Sequence, residues 1–124
     1  MKVQFAVPVI ATSDVIETAR YFEEVLGFER EWMWGDPPDY AGLKAGEAQL
    51  YVNYDPDLAD AIGEDGLAPE LFLWVDDIES LYTQHQANGA EIIEELSERP
   101  WGAKQYVVLE PNGYRIKIAQ DINS

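Results

Sequence analysis

His85 is the single histidine of this chain, and no cysteine accompanies it. Covalent catalysis needs a nucleophile activated by a neighbouring base. Ser13, Ser80, Ser97 and Ser124 fall in cap, helix, loop and tail contexts with no histidine at a useful spacing. A Ser–His mechanism therefore has no support. His85 follows Leu81 by four residues on an apolar helix face, the usual place of a packing residue. Carboxylate pairs abound, but among 24 acids in 124 residues a pair such as Glu94–Glu95 carries little information. Glycine-rich motifs that cradle phosphate are absent. The aromatic residues speak more clearly. Successive side chains of a strand alternate between its faces, so Trp32 and Trp34 share one face, and Glu70, Phe72 and Trp74 share another. By the same rule Gln49, Tyr51 and Asn53 point one way, as do Arg115 and Lys117. Trp101 sits in a Pro-Trp-Gly loop, where a large ring packs on something or serves a site. Rings beside carboxylates hold flat, positively charged molecules.

The formal net charge is -16. Between Lys44 and Arg99 there is no Lys or Arg, while 14 Asp and Glu residues fall there. Such a surface repels phosphate backbones and anionic lipid, which argues against nucleic-acid and membrane-surface roles, and it attracts cations. Without cysteine, neither disulfides nor thiolate metal sites exist. No long apolar run marks a signal peptide or a membrane span, so the expected location is the cytoplasm.

The length suits one domain, residues 1–124. Met1–Ala11 reads as a strand interrupted by Pro8, a residue that belongs at an edge, bulge or hinge. Asp14 and Glu17 have capping-box spacing, and Val15, Ala19, Phe22 and Leu26 line one helix face before Gly27. Strands follow at Phe28–Trp34, Tyr40–Lys44 and Ala48–Tyr54, the last two joined by a turn at Ala45-Gly46. Residues 55–69 are acidic, carry Pro56, Gly63, Gly66 and Pro69, and read as a loop-like linker. The pattern then restarts. Leu71–Val75 is a strand, Asp76 and Glu79 repeat the capping spacing, and Ile78, Leu81, Tyr82 and His85 mark a helix face ended by Gly89. Strands at Ala90–Leu96, Gln105–Leu109 and Tyr114–Ala119 complete it, the last two joined by the Pro111-Asn112-Gly113 turn. The expected fold is α+β: two βαβββ modules, about 1–58 and 70–124, around a trough.

Several stretches resemble one family. Val7-Pro8-Val9, Ser13-Asp14-Val15, Tyr21-Phe22 and Leu26-Gly27-Phe28 resemble the opening of the vicinal-oxygen-chelate superfamily of glyoxalases, dioxygenases and bleomycin-resistance proteins. Leu71–Asp76 followed by Ile78–Tyr82 is similar too. Arg99-Pro100-Trp101-Gly102 and Glu110-Pro111-Asn112-Gly113-Tyr114 most resemble the bleomycin-resistance branch. The resemblance implies paired βαβββ modules, a homodimer, and an N-terminal strand that crosses to the partner at a proline like Pro8. It also implies that the four metal-ligand positions of the catalytic branches fall on Val7, Tyr51, Glu70 and Lys117. Only Glu70 is an ordinary ligand; valine has no donor and the lysine ammonium stands where the ion's charge would be. The expectation is therefore no metal, no cofactor and no catalytic residue.

In the bleomycin-resistance branch a flat ligand is gripped between rings. The resemblance places those positions at Trp32, Tyr40, Phe72 and Trp101, with Gly102 beside the last and Tyr51 and Asn53 deeper; the acids expected to attract a cationic tail are Glu31, Asp36 and Glu70. The implied function is non-catalytic sequestration of a planar, cationic, bleomycin-like molecule at a dimer cleft. The alternative is a metal-dependent glyoxalase or dioxygenase with an atypical ligand set. The loop Gly35-Asp36-Pro37-Pro38 and the acidic linker depart from the resistance proteins.

Overall fold

The computed structural model describes residues 1–66 and 68–122; Leu67 in the linker, Asn123 and Ser124 lie outside them. Its elements are β1 (Val9–Thr12), α1 (Val15–Glu24), β2 (Glu29–Trp34), β3 (Tyr40–Ala45), β4 (Ala48–Tyr54), α2 (Pro56–Asp65), β5 (Leu71–Trp74), α3 (Ile78–Ala87), β6 (Glu91–Arg99), β7 (Ala103–Leu109) and β8 (Arg115–Asp121). One sheet has the order β1-β4-β3-β2 and the other β5-β8-β7-β6. In each, the first strand pairs parallel with the last and the remaining pairs are antiparallel. The two modules expected from the repeated pattern are thus present with matching topology.

α1 forms where its caps and apolar stripe place it. The Asp14 carboxylate accepts from Glu17 N–H at 3.0 Å, and Val15, Ala19, Phe22 and Leu26 are buried. α3 starts one residue later than the Asp76–Glu79 spacing suggests. Its cap is Asp77, which accepts from Ser80 N–H at 3.3 Å, while Ile78 N–H donates to the Gln120 side chain at 2.9 Å.

Two expectations are corrected. The N-terminal strand begins only at Val9; residues 1–8 carry no regular structure, and Met1, Val3 and Phe5 are exposed. Ladder bonding begins beside Pro8, whose carbonyl accepts from Tyr51 N–H at 3.0 Å. Proline itself has no N–H to offer a ladder. The stretch 55–69, expected to be loop-like, contains α2. The prolines and glycines there act as helix punctuation: Asp55 caps Leu58 N–H at 3.2 Å, Pro56 opens the first turn, and Gly66 closes the last at a φ of 66°. Ala59 and Ile62 are its buried face.

The modules meet through their helix-bearing sides. One apolar core joins Ile10, Phe22, Leu43 and Val52 of the first to Ile78, Tyr106, Ile116 and Ile118 of the second. Polar bonds cross the same seam. Ala11 N–H donates to Tyr114 Oη at 3.0 Å, Asn112 Nδ2 to Thr18 Oγ1 at 3.0 Å, and Asn88 Nδ2 to the Val25 carbonyl at 3.2 Å. Glu110 is buried in the turn before β8 and accepts from Asn112 N–H at 2.6 Å and Asn112 Nδ2 at 3.0 Å.

His85 is part of this seam. It is 3% exposed, with Nε2 3.1 Å from the Leu26 carbonyl and Nδ1 2.8 Å from Tyr106 Oη. A carbonyl only accepts, so Nε2 carries the proton and Nδ1 accepts from the tyrosine. The neutral ring is fully satisfied, and burial lowers its pKa below the ordinary histidine value. A depressed folded-state pKa gives stability that is complete above the unfolded value, about 6.5, and lost as pH falls toward the folded one. We expect the melting temperature of the wild type to fall relative to that of His85→Gln as pH drops below about 6.5. Circular dichroism melts of both proteins across that range test it; parallel curves would remove His85 from the pH response.

Candidate functional site

The outer face of the first sheet, away from the core, carries an aromatic box. Trp32 stacks on Tyr40 with ring centroids 5.7 Å apart and planes 16° from parallel. Tyr51 closes the box edge-on, 5.2 Å from Trp32 and 6.0 Å from Tyr40. Strand register explains the meeting. Trp32 lies opposite Gly42, Gly42 opposite Tyr51, and Tyr51 opposite Val9, so one row crosses all four strands. Gly42 is what lets the indole lie flat, since a Cβ there would fall on the Trp32 ring. A glycine within a strand often marks such a close approach, and this was the available sequence signal.

A bulge brings an acid to the same surface. Arg30 faces Leu43 and Trp32 faces Gly42, leaving Glu31 as the extra residue. Its carboxylate accepts from Gln49 Nε2 at 3.1 Å. Asn53, opposite Tyr40, continues the face. Four of the anticipated ligand residues, Trp32, Tyr40, Tyr51 and Asn53, therefore form one surface.

The other four lie on the second module. Phe72 and Trp74 project from the outer face of β5, with centroids 5.0 Å apart. Glu70 pairs with Lys117 Nζ at 3.1 Å, and Lys117 lies opposite Phe72 in the ladder. Trp101 is exposed in the β6–β7 turn, followed by Gly102, which donates its N–H to the Arg99 carbonyl at 3.1 Å. Among the described residues no hydrogen bond, ion pair or ring contact joins this group to the aromatic box. The reason is the packing: each sheet turns its inner face to the shared core, so the outer faces point apart.

All four tryptophans are exposed, Trp32 by 39%, Trp34 by 69%, Trp74 by 61% and Trp101 by 59%. None belongs to the core. The side-chain carbonyl of Gln105, inside the second sheet, is buried without a partner.

The ion pair of Glu70 with Lys117 occupies two of the four positions where the resemblance would put metal ligands. Val7 and Tyr51 supply no carboxylate, imidazole or thiolate at the others. Among the described residues no group of three or more His, Cys, Asp and Glu is placed to hold a metal ion. The residues present do not fit a family-type metal centre. No helix is long and apolar enough to cross a membrane among the described residues.

Solved structures share this architecture. TioX from Micromonospora sp. ML1 matches with a TM-score of 0.76 at 21% identity, covering 92% of this chain and 96% of the other. The bleomycin-binding protein from bleomycin-producing Streptomyces verticillus, complexed with copper(II)-bleomycin, matches with 0.74 at 21%, covering 95% and 96%. A glyoxalase-related enzyme from Clostridium phytofermentans matches equally well, with 0.77 at 20% and 98% of both chains. Identities this low show the fold and do not choose between binder and enzyme. No curated protein matches the sequence. The family model of the Glyoxalase/Bleomycin resistance protein/Dioxygenase superfamily matches residues 4–118, and the chain belongs to that superfamily.

Proposed function

We propose that this chain is a non-catalytic binding protein that sequesters a planar, cationic molecule of the bleomycin type. The observation that carries the reading is the Trp32–Tyr40–Tyr51 box with the Glu31 carboxylate on its face. Aromatic pairs contribute about 0.5–1.5 kcal/mol each beyond area burial, so a flat ring system meeting two of them gains specific affinity. Carboxylates nearby raise its association rate if it is cationic. The Glu70–Lys117 pair supports the non-catalytic part, because an ammonium there opposes a divalent ion.

A second copy completes the site in this reading. Within one chain the box and the Phe72, Trp74 and Trp101 group lie on outer faces that point apart, and both expose large rings. In a homodimer the first module of one copy faces the second module of its partner, covering both surfaces. The exposed arm at residues 1–8, with Val3 and Phe5 unburied, then packs on the partner beyond Pro8.

Isothermal titration calorimetry with metal-free bleomycin tests the proposal. Saturable binding to a dimer is expected, with Trp101→Ala weakened and its unliganded melting temperature unchanged. Absence of binding by bleomycin and by other planar cations would overturn it. So would stoichiometric Ni, Zn, Mn or Fe in protein purified without chelator, which would favour the glyoxalase or dioxygenase alternative.

A further inference from the structure

A cavity of about 560 Å³ lies outside the aromatic box, between the β2–β3 loop and the start of α1. None of Trp32, Tyr40 or Tyr51 lines it. Its volume is within the range of small-molecule sites. One wall is the Gly35–Pro38 loop. We propose that this cavity is a second binding site, for an organic ammonium ion carrying an apolar substituent.

Both walls are held in place without a ligand. Asp39 N–H donates to the Trp34 carbonyl at 3.0 Å, which closes the loop, and Tyr54 N–H donates to the Asp39 carbonyl at 2.9 Å, which ties it to β4. Gly35, at a φ of 99°, lets the chain fold back so that the Asp39 carboxylate packs against it. Across the cavity, Asp14 is fixed by its bond to Glu17 N–H and by its own N–H bond to Thr12 Oγ1 at 3.0 Å.

The lining chemistry selects the occupant. Trp34 and Tyr54 line it and each leaves half or more of its surface in water, and Pro37 and Pro38 add apolar surface without N–H donors. Asp14, Asp36 and Asp39 line the cavity, and no Lys or Arg does. Aromatic faces with carboxylates around them attract cations and repel anions. A small inorganic ion is disfavoured: these carboxylates do not converge into a group able to hold a metal. The site therefore suits a bulky, weakly hydrated cation whose charge is spread over alkyl groups. This inference does not rest on the function proposed for the aromatic box.

Amide NMR shifts of the nitrogen-15-labelled protein, titrated with benzyltrimethylammonium, provide the test. Saturable shifts are expected at Ser13 to Ile16, Gly35, Asp36 and Asp39. The neutral isostere 2,2-dimethylpropylbenzene should produce none at matched concentration. Trp34→Leu and the double variant Asp36→Asn/Asp39→Asn should each weaken binding about tenfold, the scale of a desolvated cation–ring contact. Trp32→Ala should leave it intact, which separates this site from the box. Shifts confined to the neighbours of Trp32 and Tyr51 would overturn the proposal, as would equal shifts with the neutral compound. Unchanged affinity in both cavity variants, or no saturable shift at all, would do the same.

Discussion

Gly42→Ala is expected to weaken bleomycin binding about tenfold while lowering stability by about 1–2 kcal/mol. The added methyl falls on the Trp32 ring, so one of the two must yield. The ring is the softer of them, because it is partly exposed and its far side is solvent. Rotation away from β3 breaks both of its aromatic contacts, to Tyr40 and Tyr51. A displaced ring no longer stacks on the ligand, and a stacking contact of about 0.5–1.5 kcal/mol is worth up to roughly one decade in Kd, since a decade is about 1.4 kcal/mol. Calorimetric titration and a urea melt of the same variant check the two halves together. If the variant binds normally but loses 2–3 kcal/mol or so of stability, the strand rather than the ring has moved, and the box is part of the packing.

Phe22→Ala should cost about 3–5 kcal/mol, the largest stability effect expected of any single truncation discussed for this chain. Phe22 is 0% exposed and meets Phe28 edge-on at 5.3 Å and Tyr21 at 5.7 Å. Its cavity has little means of collapse, because α1 is fixed at its cap and the second module packs against the same cluster. Phe72→Ala is the informative partner. It removes the same atoms from a ring that is 43% exposed, and should cost about 1 kcal/mol or less in the unliganded monomer. Urea denaturation of both variants compares them. A Phe72 effect as large as that of Phe22 would place Phe72 in a core and remove it from any ligand surface.

The sequence carried more of the fold than of the site. α1 was legible because its cap, its buried stripe and its terminating glycine agree. α2 was not, since Asp55-Pro56 and Gly66 can be read either as loop markers or as the two ends of a short helix; Ala59 and Ile62 decide the matter only once a core is there to receive them. Local spacing also put the α3 cap at Asp76, whereas the Gln120 side chain fixes the start of the helix from 42 residues away. For the site, strand parity correctly grouped Tyr51 with Asn53 and Phe72 with Glu70. It could not show that Glu31 occupies a bulge and so joins Trp32 on one surface, because a bulge breaks the alternation on which parity depends. Nor could it show that the modules join through their helix-bearing faces, which separates Phe72 and Trp101 from the box.

The placement of the indoles outside the core has an optical consequence. Tryptophan emission follows the polarity around the ring, and here every indole already borders water in the native chain. Unfolding of a single chain therefore changes the surroundings of Trp34, Trp74 and Trp101 least, whereas a ligand or partner that covers any of the four changes them strongly. The intrinsic fluorescence of this molecule thus reports the covering of its rings more than the unfolding of a single chain.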